Sequence, residues 1–422
     1  MRLHRDLIKI KGRQAEVGQD VLNTVQRILA DIKANGDQAV AKYVRELDGY
    51  TGDCLAVTEA EIKQAVRTVG EDFLALQQRA RNQICEFHSR QMEKSWGMFE
   101  DNGVIMGQIV RPLRRVAIYV PGGTAAYPST VLMNSIPALL AGVPEIIMFT
   151  PVKADGKVQD EILATAACSG IHTIYKIGGA QAIGAAAYGT ESIPKVDKIV
   201  GPGNAYVATA KRLVYGQVDI DMVAGPSEIL IIADETANPK YIAADLMGQA
   251  EHDELASSIL VATSERIIAE TEGEIQRQIV NLSRREVIER SLTQYGAAIL
   301  VRDLDEAFNL SNEIAPEHLE ILTENPLEKL PKVKNAGSIF LGEHTPEALG
   351  DYMSGTNHVL PTGGTAKFYS PLGVQDFVKW SSYSYYPREV LAKFKDDVMK
   401  FARLEGLDAH ANSVNVRFEG EE

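Results

Sequence analysis

The sequence predicts an α/β fold with mostly parallel sheets, and three observations carry that expectation. After Arg114, short apolar runs alternate with helical stretches, the pattern of repeated strand-helix units. Two segments, 118–150 and 231–263, echo each other as apolar run, turn containing Thr-Ala and Pro, helix, apolar run, which suggests an internal duplication. Glycine turns follow most of these runs, where an open α/β sheet binds its ligands.

The chain begins with helices. From Val17 to about Arg90 the periodicity is 3.6: Val21, Val25, Ile28, Leu29 and Ile32 form one stripe, with Gly36 as its stop. Further helices are expected over 39–47 and 58–91, the last a packing arm whose charges form a solvated face. Strands are expected at 116–120, 145–149, 173–177, 199–200, 229–233, 258–262, 298–301 and 338–341. The glycine turns are Pro121-Gly-Gly123, Gly178-Gly-Ala-Gln181, Gly201-Pro-Gly-Asn204 and Gly225-Pro-Ser-Glu228. Gly179 and Gly203 precede helices, where backbone N–H groups could meet an anion, although single glycines more often only make turns. None of the four is G-x-G-x-x-G, so the usual dinucleotide fingerprint is absent. From Pro371 the alternation stops. Aromatic-rich Lys379-Trp-Ser-Ser-Tyr-Ser-Tyr-Tyr386 leads through Pro387 into a helix to about Glu405, a separate tail that suits packing better than nucleic-acid stacking.

Composition narrows the function. The 422 residues carry a net charge of -14 with 45% hydrophobic and 24% charged residues, which suits a soluble multi-domain protein and disfavours nucleic acid or an anionic membrane as principal partner. The N-terminus lacks the apolar core of a signal peptide, and the apolar stretch 131–149 is broken by Asn134, Pro137, Gly142, Pro144 and Glu145; a cytoplasmic protein is expected. Cys54, Cys85 and Cys168 are few and scattered, so neither disulfides nor a thiolate metal site is indicated, and buried unreactive thiols are expected.

Five short constellations could carry chemistry. In Leu246-Met-Gly-Gln-Ala-Glu-His-Asp253, the close of a helix starting near Pro239, Gln249 and His252 stand three residues apart on one face and could point at one ion. Taken alone, such a pair is more often solvated or hydrogen-bonded. Glu317 and His318 follow Pro316, which suits a held acid–base pair and equally suits a helix start. Asp351 offers a hard oxygen and His410 a second imidazole, which with Gln249 and His252 would make an N₂O₂ set suited to zinc. His358, beside Asn357, could touch a substrate. Glu405-Gly-Leu-Asp-Ala-His410 lies in the tail.

Together these motifs closely resemble the histidinol dehydrogenase family from about Leu22 to Arg417. The resemblance rests on Tyr119-Val-Pro-Gly-Gly, Leu132-Met-Asn, Gly178-Gly-Ala-Gln-Ala-Ile, Gly201-Pro-Gly-Asn, Ala224-Gly-Pro-Ser-Glu, Gln249-Ala-Glu-His, Ala315-Pro-Glu-His-Leu, Gly350-Asp-Tyr, Asn357-His-Val-Leu-Pro-Thr and Glu405-Gly-Leu-x-x-His. It departs at Ala117, where the family usually has Gly, and at Gly248, where it often has Ser. The resemblance implies oxidation of L-histidinol to L-histidine with two NAD⁺, and one Zn²⁺ per subunit held by Gln249, His252, Asp351 and His410. It implies Glu317 and His318 as the catalytic pair, with Ser227, His358 and Glu405 joining the catalytic pair and the zinc ligands in contacting substrate. Tyr119, Gln181 and Asn204 would contact NAD. The implied architecture is two Rossmann-like domains in a homodimer with shared active sites. Residues 22–118 and 228–372 would form the zinc and catalytic domain and 119–227 the NAD domain, flanked by an N-terminal segment 1–21 and a dimer-crossing tail 373–422. The same machinery could serve another small alcohol, and His358 and Glu405 argue against that alternative.

Overall fold

The computed structural model describes residues 3–5, 18–52, 54–122 and 127–419. Val17, most of the expected N-terminal segment 1–21, and Gly123 of the first glycine turn lie outside the described residues. Two compact units are present: Met1–Met92 with Leu113–Phe377, and Glu93–Pro112 with Val378–Glu422.

The second unit holds a three-stranded antiparallel sheet of β1 (Trp96–Phe99), β2 (Ile105–Pro112) and a C-terminal strand, Val378–Tyr385, with β2 in the middle. The β1–β2 hairpin turns at Asn102-Gly103, where Gly103 takes φ 88° and the Asn102 side chain accepts the Val104 N–H at 2.9 Å. The helices Arg388–Leu404 and Asp408–Asn415 follow.

The first unit contains two five-stranded sheets, each wholly parallel. One comprises β3 (Arg115–Tyr119), β4 (Glu145–Thr150), β5 (Thr173–Lys176), β6 (Lys198–Val200) and β7 (Asp219–Ile220), in the order β5-β4-β3-β6-β7. The other comprises β8 (Glu228–Ala233), β9 (Ser257–Ala262), β10 (Gly296–Leu300), β11 (His318–Leu322) and β12 (Ser338–Leu341), in the order β10-β9-β8-β11-β12. Counted from its own first strand, each sheet runs 3-2-1-4-5, a Rossmann-like topology, and the echoing segments 118–150 and 231–263 occupy corresponding places. Each sheet reverses its order between strands 1 and 4, so its switch point lies at β3/β6 or at β8/β11.

These strands read as near-continuous apolar runs because helices cover both faces; every residue of β9 is buried. The helix Gln19–Tyr43, broken at Gly36 (φ 50°, ψ −130°), buries Val25, Ile28, Leu29 and Ile32 in one core with Ala117, Phe149 and Ile183. Its stripe thus serves the sheet of β3, whereas the boundaries read from sequence put it with the sheet of β8. The expected 58–91 helix is two, Glu59–Thr68 and Gly70–Ser89, separated where Gly70 takes φ 77°. The Thr58 side chain and Glu61 cap the first reciprocally. Two further expectations are corrected. Cys54 and Cys168 are exposed rather than buried. The helix expected to reach Asp253 ends at Ala250, so His252 sits in the following turn, its N–H on the Gln249 carbonyl at 3.2 Å.

Candidate active site

The site begins at the amino ends of β8 and β11, the two strands of the switch point. Pro316 cannot continue the helix Leu304–Ile314, and Ala315 turns the chain in the left-handed region (φ 54°). Glu317 and His318 thus arrive at the mouth of a central strand, both buried, at 7% and 4% exposure. Gly337 lets the neighbouring chain approach: a Cβ there would lie 2.5 Å from the Glu317 carbonyl oxygen. Ligands were expected at the carboxyl ends of strands. The sheet of β3 keeps that rule, with Tyr119 closing β3 and Gly201 following β6, while the sheet of β8 presents Glu228, Glu317 and His318 at amino ends.

Glu228 organises the pair through its peptide. Its N–H donates to Glu317 Oε2 at 2.8 Å, and its carbonyl lies 3.0 Å from His318 Nδ1. A carbonyl can only accept, so Nδ1 carries the proton and Nε2 bears the lone pair. Nε2 is buried without a hydrogen-bond partner. Burial holds this imidazole neutral, with its pKa lowered to about 3. Carboxyl oxygens of Glu317 and Glu347 stand 3.7 and 3.6 Å from Nδ1, and burial raises the Glu347 carboxyl well above its usual range. Burial raises the Glu317 carboxyl well above the usual range, against the lowering effect of the Glu228 N–H.

Beside this pair is a group able to hold a metal. Donor atoms of His252, Glu347 and Asp351 all lie within 4.8 Å of one another. The helix Glu347–Tyr352 brings both acids, one helical turn apart, and Glu320 Oε1 accepts the Glu347 N–H at 2.9 Å, fixing the start of that helix. Burial raises the Asp351 carboxyl to about 6. The buried Gln249 amide meets the Glu347 carboxylate at 2.5 and 2.7 Å. Its nitrogen can donate to both oxygens; its oxygen could face them only with a cation between. Imidazole, carboxylate and amide oxygen form an N/O donor set that fits zinc. Glu347 escaped sequence reading because no motif marks it, although its place one turn before Asp351 was the available signal.

His358 reaches the same helix, Nδ1 lying 3.2 Å from the Asp351 carbonyl oxygen and Nε2 3.4 Å from Thr130 Oγ1. Burial lowers its pKa to about 4. Ser227 immediately precedes β8, and its carbonyl accepts the Ser257 N–H at 2.9 Å. On the other sheet, the Tyr119 hydroxyl accepts the Gly179 N–H at 3.0 Å and burial pushes its pKa to about 12. Gln181 donates to Asp48 at 3.2 Å while its own Oε1 is buried and unpartnered. Asn204 caps the helix Ala205–Val214, accepting the Tyr206 and Val207 N–H groups. Glu405 and His410 are exposed residues of the second unit.

Two Rossmann-like parallel sheets, one carrying a buried Glu–His pair beside an N/O donor group, define an α/β protein with a candidate enzyme site. The chain belongs to the histidinol dehydrogenase family: the model of that family matches residues 11–418. The histidinol dehydrogenase of Lactococcus lactis subsp. lactis is 64% identical over 413 residues, covering 97% of this chain and 96% of its own. That of Clostridium acetobutylicum is 55% identical over 409 residues, covering 97% and 95%. The crystal structure of histidinol dehydrogenase from Elizabethkingia anophelis, 39% identical, superposes with a TM-score of 0.92 over 96% of this chain and 94% of that one. No described helix is long and apolar enough to cross a membrane.

Proposed function

We propose that the protein oxidises L-histidinol through histidinal to L-histidine, the last step of histidine biosynthesis, consuming two NAD⁺ and using one zinc ion per subunit. The observation that carries this reading is the free Nε2 of His318, a lone pair fixed in place by the Glu228 carbonyl and buried beside an N/O donor group.

In this reading His318 Nε2 takes the alcohol proton as hydride leaves for NAD⁺ in the first oxidation, and the nearby carboxyl groups of Glu317 and Glu347, whose ionisation the new positive charge favours, stabilise the imidazolium. The aldehyde must then be hydrated. Glu317 takes a proton from the attacking water while the His318 imidazolium returns its proton to the carbonyl oxygen, so that Nε2 is free again to act as base for the hydrate as the second hydride leaves for NAD⁺. When bound, zinc supplies a positive charge that orients the substrate's imidazole and amine nitrogens. His252 and Asp351 would hold it, with Gln249 and the tail residue His410 as the further expected ligands; Ser227, His358 and Glu405 would shape the substrate pocket. Burial keeps His358 neutral, as a contact to an uncharged or cationic substrate group requires.

NAD⁺ is assigned to the carboxyl-end face of the sheet of β3, where Tyr119, Gln181 and Asn204 lie, and zinc and catalysis to the sheet of β8. A homodimer joins one chain's acid–base pair to its partner's tail. Support for a partner surface comes from the second unit, where Phe99, Phe401 and Leu404 are 76%, 68% and 77% exposed. The deciding experiment is stoichiometric: purified, zinc-loaded protein should form two NADH for each histidinol consumed. A ratio of one, with histidinal released, would refute the four-electron reading.

A further inference from the structure

The turn after β6 is gripped by a buried ion pair that neither the motifs nor the proposed chemistry uses. Lys211, two turns into the helix Ala205–Val214, and Asp221, just beyond β7, form a salt bridge with side chains only 3% and 1% exposed. Both hold Gly201. The Gly201 N–H donates to Asp221 Oδ2 at 2.7 Å, and the Gly201 carbonyl accepts from Lys211 Nζ at 2.9 Å. The second Asp221 oxygen takes the Met222 N–H at 2.6 Å. Gly201 itself has φ 113°, and a Cβ there would lie 2.2 Å from the Tyr119 carbonyl oxygen. The turn is therefore pressed against the end of β3 and held at both poles of one residue.

Stability is a poor explanation for the pair. A buried ion pair commonly gains nothing over apolar residues of similar volume, because desolvation offsets the attraction. What such residues could not do is satisfy the Gly201 N–H and carbonyl, which otherwise lose their partners in the interior. The place matters as well. Gly201 lies at the switch point β3/β6, with Tyr119 on one side and Asn204 three residues on, where a ligand of an open parallel sheet is received.

We infer that Lys211 and Asp221 are positioning residues for nucleotide binding: they lock the Gly201–Asn204 turn in the shape that receives NAD⁺, without touching the ligand. This rests on the assignment of NAD⁺ to the sheet of β3. The test pairs the double variant Lys211→Met/Asp221→Leu with Asp221→Asn, read by fluorescence titration with NADH, histidinol KM, zinc content, melting temperature and amide exchange over 200–204. The double variant should stay folded and keep its zinc and histidinol KM. Its NADH dissociation constant should rise roughly 10-fold, with faster exchange at the turn, as expected when backbone hydrogen bonds are lost. Asp221→Asn offers one acceptor oxygen where two N–H groups each need one, so it should weaken NADH in the same direction, by roughly 3-fold. A folded double variant that binds NADH like wild type overturns the inference. If the double variant does not fold, unchanged NADH affinity and exchange in Asp221→Asn overturn it. Absence of NADH binding in the wild type would instead refute the cofactor assignment beneath it.

Discussion

His318 and Glu228 are joined ring to backbone, Nδ1 to carbonyl oxygen at 3.0 Å, and the backbone N–H of the same Glu228 donates to Glu317. The backbone of one residue at the amino end of β8 thus fixes the tautomer of the imidazole and the orientation of the neighbouring carboxyl group. Parallel pairing of β8 with β11, which sets His318 opposite Ile229, makes this possible. The placing of Glu317 beside His318 is consequently a product of strand register, and under the proposed function the behaviour of each follows from which member each step needs.

Replacing the base should damage both oxidations. His318→Asn removes the lone pair that takes each proton, and loss of general base catalysis typically costs about 10²–10⁴ in rate. Glu317→Gln should instead impair histidinal oxidation more than histidinol oxidation, because only the aldehyde requires hydration. Steady-state rates with each substrate check this; equal losses for Glu317→Gln would remove its role in activating water.

Gly337 offers a test that leaves both side chains in place. In Gly337→Ala the new Cβ would lie 2.5 Å from the Glu317 carbonyl oxygen, forcing the starts of β12 and β11 apart. A loss of about 1–3 kcal/mol in stability is expected from such overpacking. Because Glu317 moves with its backbone, kcat should fall roughly tenfold or more through misplacement alone. Wild-type kcat in Gly337→Ala would show that the close approach of the neighbouring strand is not needed for the catalytic geometry.

Much of this architecture was legible in the sequence, and the gaps have physical reasons. Most strands of the two parallel sheets stood out because strands buried on both faces are unbroken apolar runs. β11 did not, since His318 and Glu320 interrupt its run and Pro316-Glu317 fits a helix start equally well. The antiparallel sheet was missed although Asn102-Gly103 is a hairpin signal, because its two outer strands are largely exposed and lack a clean apolar face. The motifs marked His252 and Asp351, which the fold brings together, but the donor group also contains Glu347, which only the helix spacing could have indicated. Lys211 and Asp221 were invisible, since a buried ion pair between residues this far apart in sequence looks like two ordinary surface charges.

Metal binding should depend on pH through Asp351. Burial raises its carboxyl from 3.8 to about 6, so between those values the folded metal-free protein binds more protons than the unfolded chain. Its contribution therefore favours folding at low pH and is lost as pH rises through 6, where an unpaired buried carboxylate must form. Asp351→Asn should raise the melting temperature of metal-free protein near about pH 7.5, by the equivalent of about 1–2 kcal/mol, and change it little near about pH 4. The same variant should bind zinc poorly, and the zinc affinity of wild type should weaken as pH falls below about 6, where a proton must leave Asp351 before the metal can bind. Stoichiometric zinc in metal-loaded Asp351→Asn, or no pH dependence in the melting difference, would contradict this.

The last prediction concerns the tail. Glu405 and His410 belong to the second unit and are exposed, while Glu317, His318, His252 and Asp351 belong to the first. If the tail of one chain completes the site of its partner, each active site of a two-fold dimer combines residues from both chains. A His318→Asn chain and a His410→Asn chain are each inactive alone in that arrangement. Co-expressed, they form heterodimers in which one site carries both lesions and the other carries neither. Activity should then reappear, at about half the wild-type value per heterodimer, since one of its two sites is intact. If each tail serves its own chain, every site of the heterodimer carries one lesion and the mixture stays inactive. Heterodimers isolated with two different affinity tags and assayed for NADH formation distinguish the two arrangements, and an inactive, verified heterodimer would refute the shared site.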